Sequence, residues 1–304
     1  MKAAQGDFLL LVDKPEGPTS HDVVGMARRA LGTRRVGHTG TLDPFASGLL
    51  VMCVGRATRL AEYLSGHDKR YVAEAHLGVT TDTLDPEGEI QSTTDDLSGV
   101  TEDAIGHALR GLTGGIDQIP PQFSAKKVSG EAMHRKARRG ETVSLRPVRV
   151  RVHAIQLLSV ALPRVRFEIH CSAGTYVRAI ARDLGAALGV GAHLTTLRRT
   201  MVGSFGVRQA IPADRLGDGA AVSGARLEPI EAVGHLPRVD VSRDAASRIG
   251  HGQGVPLEQP SPQAAEAPTG EEEELLVAVS CDRDLIAVAA VADGMLRPRK
   301  VFAT

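Results

Sequence analysis

The chain has 304 residues, 36 basic and 36 acidic side chains, and a formal charge of zero. Its composition, 42% hydrophobic and 24% charged, is ordinary for a soluble globular protein and carries no whole-molecule basic excess of the kind nucleic-acid binders often show. Cys53, Cys171 and Cys281 stand far apart with no C-x-x-C and no Cys/His cluster in sequence, which argues against a disulfide framework or structural zinc and gives no metal assignment. With no signal peptide and no apolar run near the ~20 residues that span a bilayer, a cytoplasmic protein without membrane contact is expected.

The first unusual stretch is Gly37-His38-Thr39-Gly40-Thr41-Leu42-Asp43-Pro44-Phe45-Ala46-Ser47-Gly48, running into the apolar Leu49 to Val54. Glycines permit backbone shapes closed to other residues, and Pro44 biases Asp43 toward extended geometry. The pattern presents one carboxylate at the entrance to a buried strand. From local chemistry alone, a tight turn in which Asp43 caps the backbone is the plainer reading.

Strand-like alternation follows at Tyr71–Leu77. Thr101 then reads as an N-cap before Ile105, Ala108, Leu109 and Leu112 at helical spacing. Lys126 to Arg151 carries nine basic residues against two acids, an exception to the neutral total. Alternation returns at Val148–Ala154 and Val165–Cys171, each with one polar face, as in an antiparallel sheet buried on one side. Val177 to Leu188 repeats helical spacing after a Gly174-Thr175 start. A boundary is expected between about 225 and 240, and the Pro/Ala/Glu-rich Gln259–Glu274 reads as a solvated loop. The apolar Leu285–Val291 suits a small β-rich tail. Strands and helices mixed without regular βαβ alternation predict an α+β fold.

The Gly37–Gly48 loop resembles the catalytic motif of the TruB family of tRNA pseudouridine-55 synthases. Further blocks match that family in order. They begin with Asp13-Lys14-Pro15-Glu16-Gly17-Pro18-Thr19-Ser20, Lys69-Arg70-Tyr71, Leu77-Gly78 and Thr81-Asp82-Thr83-Leu84-Asp85-Pro86-Glu87-Gly88. Ile119-Pro120-Pro121-Gln122-Phe123-Ser124-Ala125, Cys171-Ser172-Ala173-Gly174-Thr175-Tyr176-Val177-Arg178, Gly191-Ala192-His193-Leu194 and Leu197-Arg198-Arg199 follow. Residues 248–252 and 294–302 more faintly resemble the family's RNA-binding tail of PUA type.

The resemblance implies a pseudouridine synthase fold: a central, mostly antiparallel mixed sheet flanked by helices and loops, over residues 1–235. It implies a basic RNA-binding insertion at about 122–147 and a PUA-like β-rich domain at 236–304. It implies isomerisation of uridine-55 in the T loop of tRNA, by base flipping, without a cofactor or metal and as a monomer with no obligate protein partner. Asp43 takes the position of the catalytic aspartate. Arg178 takes that of an arginine paired with it, and Tyr71 that of a tyrosine stacked on the target base. Tyr176 and Leu197 match pocket residues, His38 a contact to the reorganised T loop, and Asp85 a pocket-side polar residue. Lys126, Lys127, Arg135, Lys136, Arg138 and Arg139 supply phosphate contacts, while Lys14 and Pro15 buttress the active-site strand. Two relatives in function compete with this expectation: a guide-dependent box H/ACA synthase subunit, and a tRNA-folding chaperone with secondary catalysis. A phosphate-binding hydrolase loop is a poor alternative, because no G-x-x-x-x-G-K-[ST] is present.

Overall fold

The structure, a computed structural model, describes residues 6–123, 127–128, 131–132, 145–257 and 274–302. Its larger sheet is built on seven strands: β1 (Phe8–Lys14), β2 (Ser47–Val54), β3 (Lys69–Leu77), β4 (Gly114–Gln118), β5 (Val148–Ala161), β6 (Arg164–Cys171) and β7 (Ala192–Val202). Their spatial order is β1-β2-β7-β3-β6-β5-β4, with short strands added along β1, β2 and β7. Neighbours run antiparallel except β2 and β7, which are parallel and meet at Ser47–Arg198 and Gly48–Arg199. Four helices of eight or more residues lie among the described residues: α1 (Ser20–Leu31), α2 (Glu102–Gly111), α3 (Val177–Ala187) and α4 (Arg243–Gly250).

Burial explains the two kinds of strand sequence. β3 and β6 alternate because only one face is covered: Tyr71, Ala73, Ala75, Val165, Phe167 and Ile169 pack with Ile105 and Leu109 of α2 and Ile180 and Leu184 of α3. β1 and β2 read as unbroken apolar runs because both of their faces are covered. Phe8, Leu10, Val12, Leu50 and Met52 face α1, while Leu9, Leu11, Leu49 and Val51 pack toward the tail.

The tail forms a second, five-stranded sheet from β8 (Arg238–Asp240), β9 (Val255–Pro256), β10 (Leu276–Cys281), β11 (Asp284–Ala292) and β12 (Met295–Val301), in the order β8-β10-β11-β12-β9. Leu285, Val288 and Phe302 join the same apolar cluster as Leu9 and Leu11. The two sheets therefore share a core. Arg59 donates to the carbonyl of Val301, and Lys300 pairs with Glu62 across the junction. No helix among the described residues is long and apolar enough to cross a membrane.

Candidate active site

The Gly37–Gly48 segment leaves a three-residue strand, Val36–His38, and re-enters the sheet as β2. Its shape is held from three directions. Ser20, the first residue of α1, accepts from the Leu42 N–H at 2.8 Å and donates to the Leu42 carbonyl at 3.0 Å. Lys14, wholly buried, donates to the carbonyls of Pro15, Pro18 and Pro44. Arg199, 2% exposed, donates to the carbonyls of Gly40, Thr41 and Leu49 from the parallel seam between β2 and β7. A buried cation that satisfies several carbonyls fixes backbone that would otherwise lack partners. At Gly48, φ is +104°, and a Cβ there would stand 2.3 Å from the Arg199 carbonyl oxygen; glycine is obligatory at this close approach.

The loop sets Asp43 at a cavity of about 340 Å³ whose lining also includes Lys69, Tyr71, Tyr176, Arg178, Leu197 and Arg199. Arg178 is the organising cation. Its Nε lies 3.0 Å from Asp43 Oδ2 and its Nη1 2.9 Å from Asp85 Oδ2. The same guanidinium donates to the carbonyls of Thr83 and Phe123, each at 2.9 Å. Its side chain is only 5% exposed, as is that of Asp85. One arginine thus binds two carboxylates and two carbonyls, a use of its planar fork that a lysine could not reproduce.

Asp85, expected from the sequence as a pocket-side polar residue, is buried against Arg178 and is not among the residues lining the cavity. Its other oxygen accepts from the Thr83 hydroxyl and the Glu87 N–H. A carboxylate next to a buried guanidinium is needed there to offset the cost of burying that charge. His38 is likewise off the cavity wall; it is half-buried, with Nδ1 enclosed and without a hydrogen-bond partner. Burial, then the charges of Arg199 and His21, push its pKa down.

Loss of solvation raises the pKa of Asp43 above the ordinary carboxylate value, although part of the side chain opens to the cavity. Arg178 pulls the other way, and the charge of Asp85 adds to the rise. Tyr71 is buried and its pKa is raised by desolvation, with Arg199 opposing; its phenol therefore stays protonated at neutral pH. Burial lowers Lys14 and Lys69 to about 8 each. Tyr176 precedes α3, and its backbone is clamped by Gln118 of β4, which accepts from its N–H at 2.8 Å and donates to its carbonyl at 3.1 Å.

Gln118, Lys69 and the anchoring function of Arg199 escape the sequence reading. Gln118 and Arg199 act on backbone groups remote in sequence, and Lys69 turns its ammonium back onto the nearby Ser65 carbonyl; neither periodicity nor spacing carries that signal. Of the expected phosphate contacts, Lys126, Arg135, Lys136, Arg138 and Arg139 lie outside the described residues. Lys127 falls in a two-strand ladder, with its backbone paired to Ala132. Phe123, whose carbonyl Arg178 holds, immediately precedes this segment.

Comparison with known proteins adds an independent line. Residues 28–177 match the family model "TruB family pseudouridylate synthase (N terminal domain)", and residues 178–231 match "tRNA pseudouridylate synthase B C-terminal domain". A protein of Mycobacterium sp. (strain KMS) named tRNA pseudouridine synthase B is 45% identical over 273 residues, covering 88% of this chain and 91% of its own. Its namesake in Arthrobacter sp. (strain FB24) is 43% identical, covering 97% of this chain and 96% of its own. Among solved structures, a chain of an H/ACA ribonucleoprotein bound to a substrate RNA containing 2'-deoxyuridine is 27% identical, with a TM-score of 0.72. It covers 98% of this chain and 85% of that one. A chain of an archaeal Nop10–Cbf5 complex is 26% identical with a TM-score of 0.71, covering 97% of this chain and 85% of that one.

The chain belongs to the TruB family of pseudouridylate synthases, and its α+β architecture is the pseudouridine synthase fold.

Proposed function

We propose that, as a TruB family member, this protein converts uridine-55 in the T loop of tRNA to pseudouridine, with Asp43 as the catalytic carboxylate. The observation that carries this reading is the cavity: its lining holds one acid, Asp43, paired with the buried Arg178, together with Tyr71 and Leu197. Its volume lies in the range of small-molecule pockets. A base stacked inside a folded loop cannot enter such a cavity, so the nucleotide must be extruded, at a cost of a few kcal/mol.

The reaction is an isomerisation: the C1′–N1 bond breaks, the uracil turns, C1′ joins C5, the C5 proton leaves and the freed N1 takes up a proton. Substrate and product have the same composition, so the chemistry calls for an activated carboxylate and a place for the ring to turn. Arg178 keeps Asp43 aligned and favours its ionised form against the pull of burial. Tyr71 offers a flat ring for the flipped base and a protonated hydroxyl. Asp85 acts through Arg178 as a positioning residue.

The curated relatives favour the stand-alone enzyme over the guide-dependent one. Identity reaches 41–47% with proteins named tRNA pseudouridine synthase B, against 26–28% with the Cbf5-type chains. The test is tritium release from 5-tritiated uridine in a bare T-arm hairpin. The purified chain should turn over without guide RNA, and Asp43→Asn should abolish release. Equal rates for the two proteins would remove the catalytic assignment, and wild-type activity only with a guide would transfer the chain to the other class.

A further inference from the structure

Three side chains that do not line the cavity converge from three separate segments of the sheet. Asp68 immediately precedes β3, His153 lies on β5, and His170 lies on β6. The Nε2 of His153 is 3.0 Å from Asp68 Oδ2, and the Nε2 of His170 is 3.8 Å from the same oxygen. The two imidazoles are 4.6 Å apart, centre to centre, at 38°. One donor atom from each residue lies within 4.8 Å of the other two.

The backbone makes this meeting possible. Val152 pairs with Cys171 and Ala154 with His170, so His153 sits at a register irregularity between them. Such a bulge re-aims a side chain, and His153 is turned onto the face that carries His170. Asp68 is tied in place by its carbonyl, which accepts from the Gly203 N–H at 2.8 Å.

We propose that Asp68, His153 and His170 form a site for a borderline first-row divalent cation of the zinc type. Tetrahedral zinc with nitrogen and oxygen ligands at about 2.1 Å sets those ligands roughly 3.4 Å apart. The two observed carboxylate–imidazole separations fall on either side of that value. A purely hydrogen-bonded arrangement accounts for His153 but leaves His170 too far from the acid for a good bond; an ion between the three satisfies both rings. Two imidazoles and one carboxylate select zinc, nickel or cobalt over magnesium or calcium, which take oxygen ligands. The side chains are 28–45% exposed, so an ion can enter and water can complete the shell. Of the neighbouring cations on β3, Arg70 is paired with Glu168 at 3.6 Å and Lys69 donates to the Ser65 carbonyl. No sequence spacing announces the site, because its ligands come from positions about 17 to 100 residues apart, brought together only by strand pairing.

The test is zinc competition against a chromophoric chelator, using the full metal-stripped chain. One saturable equivalent of Zn²⁺ is expected, with Mg²⁺ not competing. His153→Ala with His170→Ala should weaken binding at least tenfold, and Asp68→Asn should weaken it independently; both should leave pseudouridine formation unchanged. Cys281→Ser should retain the equivalent. Absence of saturable binding, or binding that persists in the double variant or is lost instead in a His67→Ala and His235→Ala protein, would overturn the proposal.

Discussion

Asp43 experiences opposed influences, and their balance sets testable signs. Because burial outweighs Arg178, the folded protein holds the Asp43 proton more tightly than the unfolded chain. Ionising it therefore costs folding free energy as pH rises through the ordinary carboxylate value of about 4. Asp43→Asn should be at least as thermostable as the parent at pH 7, and the difference should vanish below about pH 4; thermal melts at both pH values check this. If Asp43 acts as the proposed carboxylate, the acid limb of the rate profile should lie above the ordinary carboxylate range. Asp85 contributes to the rise, and Asp85→Asn should move that limb to lower pH. The same change should reduce kcat by about 10- to 100-fold with little change in KM, because Arg178 loses the partner that fixes it. A limb that stays in place would show that Asp85 does not act on Asp43.

Between β2 and β7, the parallel seam is where the Asp43 loop is anchored, and Gly48 is its tightest point. Gly48→Ala would add a Cβ 2.3 Å from a backbone oxygen at a left-handed φ. A loss of about 2 kcal/mol or more is expected, read as a lower denaturation midpoint, together with reduced activity as the Asp43 loop shifts. Much of this element was legible beforehand. Period-two alternation marks β3 and β6 because one face meets solvent, and Thr101 caps α2 through its side chain, accepting from the Ala104 N–H. β1 gave no such pattern, since α1 and the tail cover its two faces and erase the alternation. The functional loop was legible from its glycines, its Asp-Pro pair and the family resemblance. Its supports Ser20 and Arg199 were not, nor was Gln118 beneath Tyr176, because they grip backbone atoms whose nearness is a tertiary fact.

At the scale of the molecule, the tail sheet completes the core of the catalytic region. Truncation after Leu236 would remove Ala278, Leu285, Val288 and Phe302 from the apolar cluster they share with Leu9, Leu11 and Leu64, leaving its remaining members open to water. The truncated chain should aggregate, or elute as oligomers in size-exclusion chromatography, while the full chain does not. RNA binding poses a separate question of charge. The neutral total hides the basic segment between Lys126 and Arg151. If four of its cations contact phosphate, replacing Arg135, Lys136, Arg138 and Arg139 with Gln should reduce the slope of log affinity against log salt by about 3. An unchanged slope would move the phosphate contacts elsewhere on the surface.

By itself, the sequence determined the family and the mixed sheet-and-helix class, because these are written in local pattern and in ordered motifs. Only the tertiary structure decided that Arg178 binds Asp43 and Asp85 together, that Asp85 is not among the residues lining the cavity, and that the tail closes the core. It alone brought Asp68 to two histidines. The reason is physical: hydrogen bonds, ion pairs and desolvation depend on separations of a few ångströms between residues that lie far apart along the chain.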